Sequence, residues 1–198
     1  KYGFYIIEDD NLYDFNYTKS AIVPYKALDY HNRVIYIKSF SKILMPGLRI
    51  GFAVLPNKIT QSITNAKYTT DISTSGLLQK ALDIYLSKNL YNEHIEKLRL
   101  YGREQYKAAV KYCDRHLKDL CRYIKPYGGI SLWIDTGIED FKRLSQSLAQ
   151  KNVIVSPGSK FLIDGSKTGY IRLCFTAVTP AKMESGIRRI AECVDSIL

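Results

Sequence analysis

The sequence contains no apolar run that approaches the roughly 20 residues needed to span a bilayer, and its first residues show no signal-peptide pattern. Its four cysteines include no C-x-x-C pair, and its three histidines show no ligand spacing. Repeats, low-complexity linkers and RNP, KH or zinc-finger patterns are also absent. These absences predict a cytoplasmic protein with reduced thiols, no membrane contact, no metal site and no nucleic-acid contact by this segment itself.

The composition is that of a folded and basic protein. The chain has 198 residues, of which 46% are hydrophobic, so it can bury a core. A net charge of +10 can indicate a nucleic acid, a membrane surface or an anionic ligand. Residues 88–125 hold ten Lys/Arg against five Asp/Glu, but these charges are interspersed at a helical period. We interpret them as the solvated face of a long helix.

One short stretch concentrates polar and charged residues between two predicted strands: Ser39-Phe-Ser-Lys42-Ile-Leu-Met-Pro46-Gly47-Leu-Arg49-Ile-Gly51. Residues 33–37 before it and 48–55 after it are rich in β-branched and aromatic side chains, as strands are. Pro46-Gly47 predicts a turn, so Lys42 is expected in the connection, where loops held by a scaffold carry chemistry. The stretch therefore predicts an amine nucleophile on a loop.

The side chains of this stretch suit an aldehyde that carries a phosphate. The amine of Lys42 can form an imine. Three nearby side chains can hydrogen-bond phosphate oxygens, namely those of Ser39, Ser41 and Arg49. Taken alone, Lys42 is more often a solvated surface lysine. The coincidence of all these positions favours the cofactor interpretation.

Three acids, Glu8-Asp9-Asp10, follow a predicted buried strand over residues 1–7. In open α/β sheets, ligands bind outside the carboxyl ends of the strands, so an acid is well placed there. A carboxylate at this position can pair with a positively charged group of a ligand. A solvated strand end is the alternative interpretation.

A third feature lies near the C-terminus, where Gly169-Tyr-Ile-Arg172-Leu-Cys-Phe175 alternates as a half-buried strand does. An arginine among apolar neighbours needs an acidic partner. That partner is either a substrate carboxylate, held by two parallel hydrogen bonds, or an acid of the protein. The strand alone leaves both interpretations open.

The stretch around Lys42 matches S-x-S-K-x-x-x-P-G-x-R-x-G at every specified position. It resembles the lysine motif of fold-type I aminotransferases (class I/II), which use pyridoxal 5′-phosphate (PLP). The resemblance implies that Lys42 is the catalytic and cofactor-binding lysine and that Asp9 faces the pyridine nitrogen. It also implies that Arg172, in an R-L-x-F strand, binds the substrate carboxylate. The remaining cofactor-binding residues that it implies are Ser39, Ser41 and Arg49.

The chain departs from the family just after Asp9. A tyrosine two or three residues later normally hydrogen-bonds the cofactor's 3′-oxygen, but this chain has Asn11 and Leu12 there. Either Tyr13 reaches the cofactor through a bulged loop, or Asn11 supplies an amide donor instead. We expect cofactor binding to survive this change and turnover to slow.

The element order matches the latter part of an aminotransferase protomer, so we expect an α/β fold. Further strands are predicted over 130–134, 153–155 and 170–176, and helices over 77–86, 91–120, 141–151 and 180–197. Only three of the family's seven large-domain strands are predicted, and we expect a C-terminal fragment of a longer protein. Its expected parts are the end of the large PLP-binding domain over 1–70, connecting helices over 71–120 and a small α+β domain over 121–198.

Residues 66–75 and 153–159 most resemble the MocR branch of the GntR superfamily. Its members join an N-terminal winged helix-turn-helix domain to an aminotransferase-like domain. The resemblance implies a PLP-binding effector and oligomerisation domain of a transcription regulator, which senses an amino acid or amine through an internal aldimine at Lys42. DNA would be bound only by an N-terminal domain absent here, and the unpaired sheet edge predicts a homodimer.

Two alternatives remain open. The chain could be a fragment of a stand-alone PLP-dependent aminotransferase, in which Lys42 also moves the proton between the substrate α-carbon and cofactor C4′. It could also be a basic interaction module that retains the motif without using it. Transaminase activity, if any, is expected of the intact protein and not of this fragment alone.

Overall fold

The computed structural model describes residues 2–17 and 22–198. The chain divides into two units, Lys1–Arg99 (unit 1) and Leu100–Leu198 (unit 2). The boundary falls inside a long helix, within the segment 71–120 that the sequence predicts to connect two domains. The three-part division made from the sequence stays a prediction.

Unit 1 contains a three-stranded sheet of order β1-β2-β3. Strands β1 and β2 are parallel and β3 is antiparallel to β2. The predicted strand over residues 1–7 is shifted toward the acids, because Gly3 has a φ of +65° that interrupts the extended run. The strands are β1 (Ile6–Asp9), β2 (Val34–Ser39) and β3 (Gly51–Val54).

The helices of unit 1 are α1 (Asn57–Asp71), α2 (Gly76–Ser87) and the start of α3 (Leu90–His116). Helices α2 and α3 confirm the predictions, although α3 ends before residue 120. Helix α1 was not predicted, because its sequence is mostly polar. None of its residues is buried. Its apolar residues nevertheless recur at spacings of four and three, as on one face of a helix: Ile59, Ile63 and Ala66.

Unit 2 contains a four-stranded antiparallel sheet of order β4-β5-β7-β6. Two helices accompany it, and both begin at a side-chain cap: Asp140 accepts from the Arg143 backbone N–H, and Thr179 from that of Lys182. The elements are β4 (Arg122–Tyr123), β5 (Ser131–Asp135), α4 (Phe141–Gln150), β6 (Ser156–Pro157), β7 (Tyr170–Cys174) and α5 (Pro180–Asp195).

The core of unit 2 lies between the inner face of its sheet and the helices. Alternate residues of β5 and β7 are fully buried, as period-two burial requires: Leu132, Ile134 and Ile171. Helix α5 buries a stripe of apolar residues at spacings of three and four: Met183, Ile187, Ile190, Ala191 and Val194. This part of the chain closes around a core of its own.

One predicted strand in unit 2 is wrong. Residues 153–155 do not pair with the sheet, because the Val153 N–H donates to the Leu148 carbonyl at the end of α4 (2.9 Å) and Ile154 is 93% exposed. The strand lies instead at β6, directly after these residues. In residues 2–17 and 22–198, no helix has the length and apolarity needed to cross a membrane.

Candidate functional site

A cavity of about 330 Å³ lies in unit 1 at the carboxyl ends of β1 and β2. All five site residues that the sequence predicts for this unit line it: Asp9, Ser39, Ser41, Lys42 and Arg49. Three further residues complete the lining: Asn11, Ile50 and Gly51. The fold therefore brings together residues that are distant in the sequence, from Asp9 to Gly51.

The parallel pairing of β1 with β2 explains how Asp9 reaches the lysine stretch. Asp9 lies opposite Ile37 in the register, and the next backbone N–H, that of Asp10, donates to the Ile37 carbonyl (2.8 Å). Parallel strands end at the same edge of a sheet, so the last residue of β1 and the residues after β2 converge.

The turn after β2 carries Lys42 and is held in place by backbone hydrogen bonds and by a buried side chain. The Leu44 N–H donates to the Phe40 carbonyl (2.9 Å), which closes one helical turn. Ile43 is 1% exposed, and its carbonyl accepts a hydrogen bond from Nε2 of His94 on α3 (2.6 Å). Because a carbonyl can only accept, Nε2 carries the proton. Lys42 projects from this anchored turn.

The Lys42 amine lies on the open side of the turn. Its side chain is exposed, and no carboxylate in the described part of the chain forms an ion pair with it. The backbone N–H of Ser41 donates to the Ser39 hydroxyl oxygen (3.2 Å), so the two serines are held together beside the amine. This amine is accessible to an aldehyde.

Arg49 lies in the left-handed region, with φ of +51° and ψ of +35°, directly after the short helical turn Pro46–Leu48. A non-glycine residue seldom adopts this conformation, and such strain concentrates at ligand sites. Gly51 follows at the start of β3, where an added Cβ would lie 2.7 Å from the Lys38 carbonyl oxygen. The close β2–β3 approach next to the cavity thus requires glycine.

Asn11, and not Tyr13, lines the cavity. The Asn11 amide donates to both carboxylate oxygens of Asp9, at 3.1 and 3.2 Å. The Tyr13 ring lies instead against the ammonium group of Lys38, 5.5 Å from ring centre to Nζ. Asn11, and not Tyr13, is therefore the better placed of the two candidates for the role of the family's tyrosine.

A buried charge cluster, which sequence reasoning missed, lies next to the cavity on the other face of the same strand ends. Lys38 Nζ is 2.8 Å from Asp14 Oδ2 and 3.7 Å from Asp10 Oδ1. Two tyrosines complete it: the Tyr36 hydroxyl donates to Asp10, and that of Tyr91 to Asp14 (3.2 Å). Burial, followed by these carboxylates, raises the pKa of both phenols. No local motif signals this cluster, because Asp14 and Tyr91 are 77 residues apart.

Arg172 lies in unit 2 on the exposed face of β7, opposite Trp133 in the register. One guanidinium nitrogen lies 3.3 Å from the Ser156 hydroxyl oxygen, and the guanidinium carbon is 5.0 Å from the Phe161 ring centre. Within the described residues, no carboxylate forms an ion pair with Arg172. Of the two partners that the sequence allows, an acid is therefore absent among the described residues, and a carboxylate ligand stays a prediction.

The donor set of the unit 1 cavity fits a phosphorylated pyridine aldehyde. An amine, two hydroxyl groups, a guanidinium and a carboxylate line one space. The amine matches the aldehyde, the hydroxyl groups and guanidinium match phosphate oxygens, and the carboxylate matches a protonated ring nitrogen. In residues 2–17 and 22–198, no cluster of three or more His, Cys, Asp or Glu could hold a metal ion.

The comparisons with known proteins agree with this chemistry. The family model described as aminotransferase class I and II matches residues 1–190. The chain therefore belongs to the class I and II aminotransferase family. Members of this family bind PLP or its amine form, PMP. This confirms PLP as the cofactor of the family that the sequence predicts.

Relatives of two kinds cover almost the whole chain. It is 32% identical to the uncharacterized HTH-type transcriptional regulator YisV of Bacillus subtilis over 94% of this chain and 38% of that protein. It is 31% identical to aromatic-amino-acid aminotransferase 1 of Thermococcus litoralis over 98% of this chain and 47% of that protein. The similarity thus extends both to regulators and to enzymes.

The fold prediction is confirmed by solved structures. The kynurenine aminotransferase of Pyrococcus horikoshii, solved in complex with PMP, superposes with a TM-score of 0.94 at 31% identity. The superposition covers 100% of this chain and 49% of that structure. The chain therefore has the fold of part of a PLP-dependent aminotransferase and spans half or less of the length of these relatives.

Proposed function

We propose that this chain is the aminotransferase-like effector and oligomerisation domain of a MocR-type transcription regulator, in which Lys42 holds PLP covalently and an amino compound is the ligand. One observation carries the cofactor part of this proposal. The exposed amine of Lys42 shares a cavity with the Asp9 carboxylate and with hydroxyl and guanidinium donors. When bound, PLP would supply the electrophilic aldehyde and the electron sink.

The residues of the cavity have separate roles in this proposal. Lys42 would supply the amine that condenses with the aldehyde, with loss of water, and that an amino ligand could displace. Ser39, Ser41 and Arg49 would hold the phosphate, and the Asp9 carboxylate would accept a hydrogen bond from the protonated ring nitrogen. The charge of each side chain and its position in the cavity support these roles.

The regulator assignment has two supports. The chain is similar over 94% of its length to YisV, an HTH-type transcriptional regulator. Asn11 stands where the enzyme family has the 3′-oxygen tyrosine, and its amide is already engaged with Asp9. A weaker 3′-oxygen contact slows turnover more than it weakens binding, which suits a sensor. DNA would be contacted by an N-terminal domain outside this chain.

A stand-alone aminotransferase is the second candidate function. The observation that favours it is the 31% identity over 98% of this chain to an aromatic-amino-acid aminotransferase, and Arg172 has no acidic partner in the described residues. A substrate α-carboxylate is the partner that such a guanidinium binds by two parallel hydrogen bonds. A sensor for amino acids would use the same arginine, so the test must follow the fate of the amino group.

The experiment that separates the two functions uses the full-length protein saturated with PLP. Amino acids and amines are added while the imine absorbance is followed, and a 2-oxo acid is then supplied. A regulator is expected to show ligand-dependent absorbance changes without net formation of the amine form of the cofactor. Repeated turnover of the 2-oxo acid would instead establish an aminotransferase. The absence of any ligand-dependent change would favour the interaction module.

The homodimer is also a proposal, and the sheet of unit 1 supports it. Strand β1 lies at one edge of that sheet, and all four residues of β3 are exposed. Exposed edges and apolar faces favour association. Sedimentation of the protein at high concentration is expected to show a dimer, and a monomer under those conditions would contradict the proposal.

We further propose a cytoplasmic location, with which the four free cysteines agree.

A further inference from the structure

We propose that Lys38, held between Asp14 and Asp10, is a positioning residue that fixes the Asp9 end of the cofactor site. The inference rests on the proposed PLP function and adds a residue that the lysine motif does not include. Lys38 is 7% exposed and Asp14 is 5% exposed, which is rare for charged side chains. Burial on this scale requires compensation within the protein.

The cluster is balanced in charge. Its two carboxylates, Asp10 and Asp14, face two cations, since Arg99 lies 3.6 Å from Asp14 Oδ1 in addition to Lys38. Arg99 also donates through Nε to the Asp14 backbone carbonyl (3.1 Å). Asp14 thus contacts both cations and the Tyr91 hydroxyl. Removal of one cation leaves a buried carboxylate underpaired.

The alternation of side chains along a strand places this cluster directly behind the cavity. Asp9 and Ser39 line the cavity, whereas their chain neighbours Asp10 and Lys38 belong to the cluster. Consecutive residues of a strand point to opposite faces, so each strand end contributes one residue to each side. A shift of Asp10 or Lys38 therefore moves a cavity residue with it.

Apart from the backbone pairing with β2, which extends to the hydrogen bond from the Asp10 N–H to the Ile37 carbonyl, the carboxyl end of β1 has few packing contacts. Strand β1 has four residues and lies at an edge of the sheet, and its apolar side chains are exposed, Ile6 by 41% and Ile7 by 67%. Glu8 fixes the middle of the strand, because its carboxylate accepts from the backbone N–H groups of Tyr25 and Lys26. Beyond Glu8, Asp10 connects the strand end to β2 through its ion pair with Lys38 and its hydrogen bond from the Tyr36 hydroxyl.

The cluster also holds the segment after Asp9. The Tyr13 N–H donates to Asp10 Oδ1 (3.2 Å), and the Tyr13 ring lies against Lys38. This arrangement leaves the position beside Asp9 to Asn11, whose amide contacts the Asp9 carboxylate. By holding Tyr13 away from the cavity, Lys38 leaves Asn11 as the side chain that follows Asp9 in the lining.

The test uses the full-length protein and four variants. Lys38→Met removes the cation, and Lys38→Met combined with Asp14→Asn removes one charge of each sign, so that the cluster keeps its net charge while Asp10 keeps the hydrogen bonds from the Tyr36 hydroxyl and the Tyr13 N–H. Asp14→Asn alone completes the cycle. Lys67→Met is the matched control, because Lys67 is an exposed lysine that pairs with Asp71 on α1. Each protein is examined for the PLP dissociation constant, the pH midpoint of the imine absorbance and the melting temperature.

We expect Lys38→Met and the double variant to retain the covalent adduct at Lys42 at saturating PLP. Their PLP dissociation constant should rise roughly tenfold, as is usual when a residue that orients a ligating group is lost. The pH midpoint of the imine should rise, because a displaced Asp9 supports less positive charge on the ring. Lys67→Met should match the wild type in both quantities.

The outcomes are distinguishable. If the double variant recovers the wild-type dissociation constant and midpoint together with the wild-type melting temperature, the cluster is structural only and the inference is overturned. Wild-type values in Lys38→Met itself would also overturn it, while the proposed function would stand. A wild-type protein that forms no adduct at Lys42 would overturn the proposed function and the inference together.

Discussion

The two units of the chain differ in how they use their strands. In unit 2, Leu132 and Ile134 of β5 are fully buried beneath the helices. In unit 1, Ile7 of β1 is 67% exposed and no residue of β3 is buried. The candidate site nevertheless lies in unit 1. Its geometry thus depends on polar contacts at the strand ends in addition to the buried side chains of the Lys42 turn, such as Ile43, whereas unit 2 depends mainly on apolar packing.

The largest expected effect tests the site and not the core. Lys42→Ala should abolish the covalent imine with PLP completely, because an imine needs a primary amine and the alanine side chain has none. The melting temperature should stay unchanged, since Lys42 is exposed on a turn. Absorbance and mass spectrometry measure the adduct, and Lys67→Ala is the control. An unchanged imine signal would remove Lys42 from its role.

A matched pair of isoleucines tests the difference between the units directly. Ile134→Ala removes a fully buried side chain from β5 and should lower the free energy of unfolding by about 2–5 kcal/mol. Ile7→Ala makes the same change at an exposed position of β1 and should stay within about 0.5 kcal/mol. Urea denaturation of this chain gives both values. Equal losses would show that β1 is buried in solution, for example in a dimer.

Asp9→Asn tests the polar contacts of unit 1. A hydrogen bond to a charged group contributes about 1.5–3 kcal/mol, so the PLP dissociation constant should rise roughly ten- to a hundredfold. Any exchange of substrate α-protons should slow as well, because the ring nitrogen is less protonated. Equilibrium binding to the full-length protein measures the effect, with Asp71→Asn on α1 as the control. Wild-type behaviour would show that another acid, such as Asp10, faces the ring.

The thiols of unit 2 provide a pH test of its core. Burial raises the pKa of Cys113 to about 12 and that of Cys121 to about 11, whereas Cys174 is exposed. Thiolates react and thiols do not, so Cys113 and Cys121 should stay unmodified at pH 9 until the protein unfolds, whereas the reagent can reach the exposed Cys174. Peptide mass mapping measures the labelling. Rapid modification of Cys113 at pH 9 would show that this core opens.

The same thiols give the sign of a stability change. The folded state holds their protons more tightly than the unfolded state does, because the folded pKa of each is raised. Their contribution to stability is therefore complete below the ordinary thiol pKa near 9 and is lost as the pH rises toward 11 and 12. The free energy of unfolding should decline across that range.

The lysine stretch and the two strands around it could be predicted because both signals are local. The residues from Ser39 to Gly51 are neighbours in sequence, and β-branched runs flank them. Asp9 could be added from its position after a strand. Helix α1 escaped prediction because its apolar residues form a narrow stripe in a polar sequence, and only their spacing marks it.

The buried cluster could not be predicted from the sequence. Lys38 has the same residue type as Lys42, four positions later, yet one is buried between carboxylates and the other is exposed beside a cavity. The difference arises from contacts across long separations: Arg99 contacts Asp14 from 85 residues away. Periodicity places a residue on a face of its strand, but it does not show what lies opposite that face.

The proposed function requires above all a covalent link between PLP and Lys42. The direct measurement is to mix PLP with the full-length protein and with residues 1–198, record the imine absorbance before and after borohydride reduction, and map the modified lysine by peptide mass spectrometry. We predict a reduced adduct at Lys42 in the full-length protein and weak or no labelling of the shorter chain. A full-length protein with no adduct, or with an adduct only at other lysines, would contradict the account.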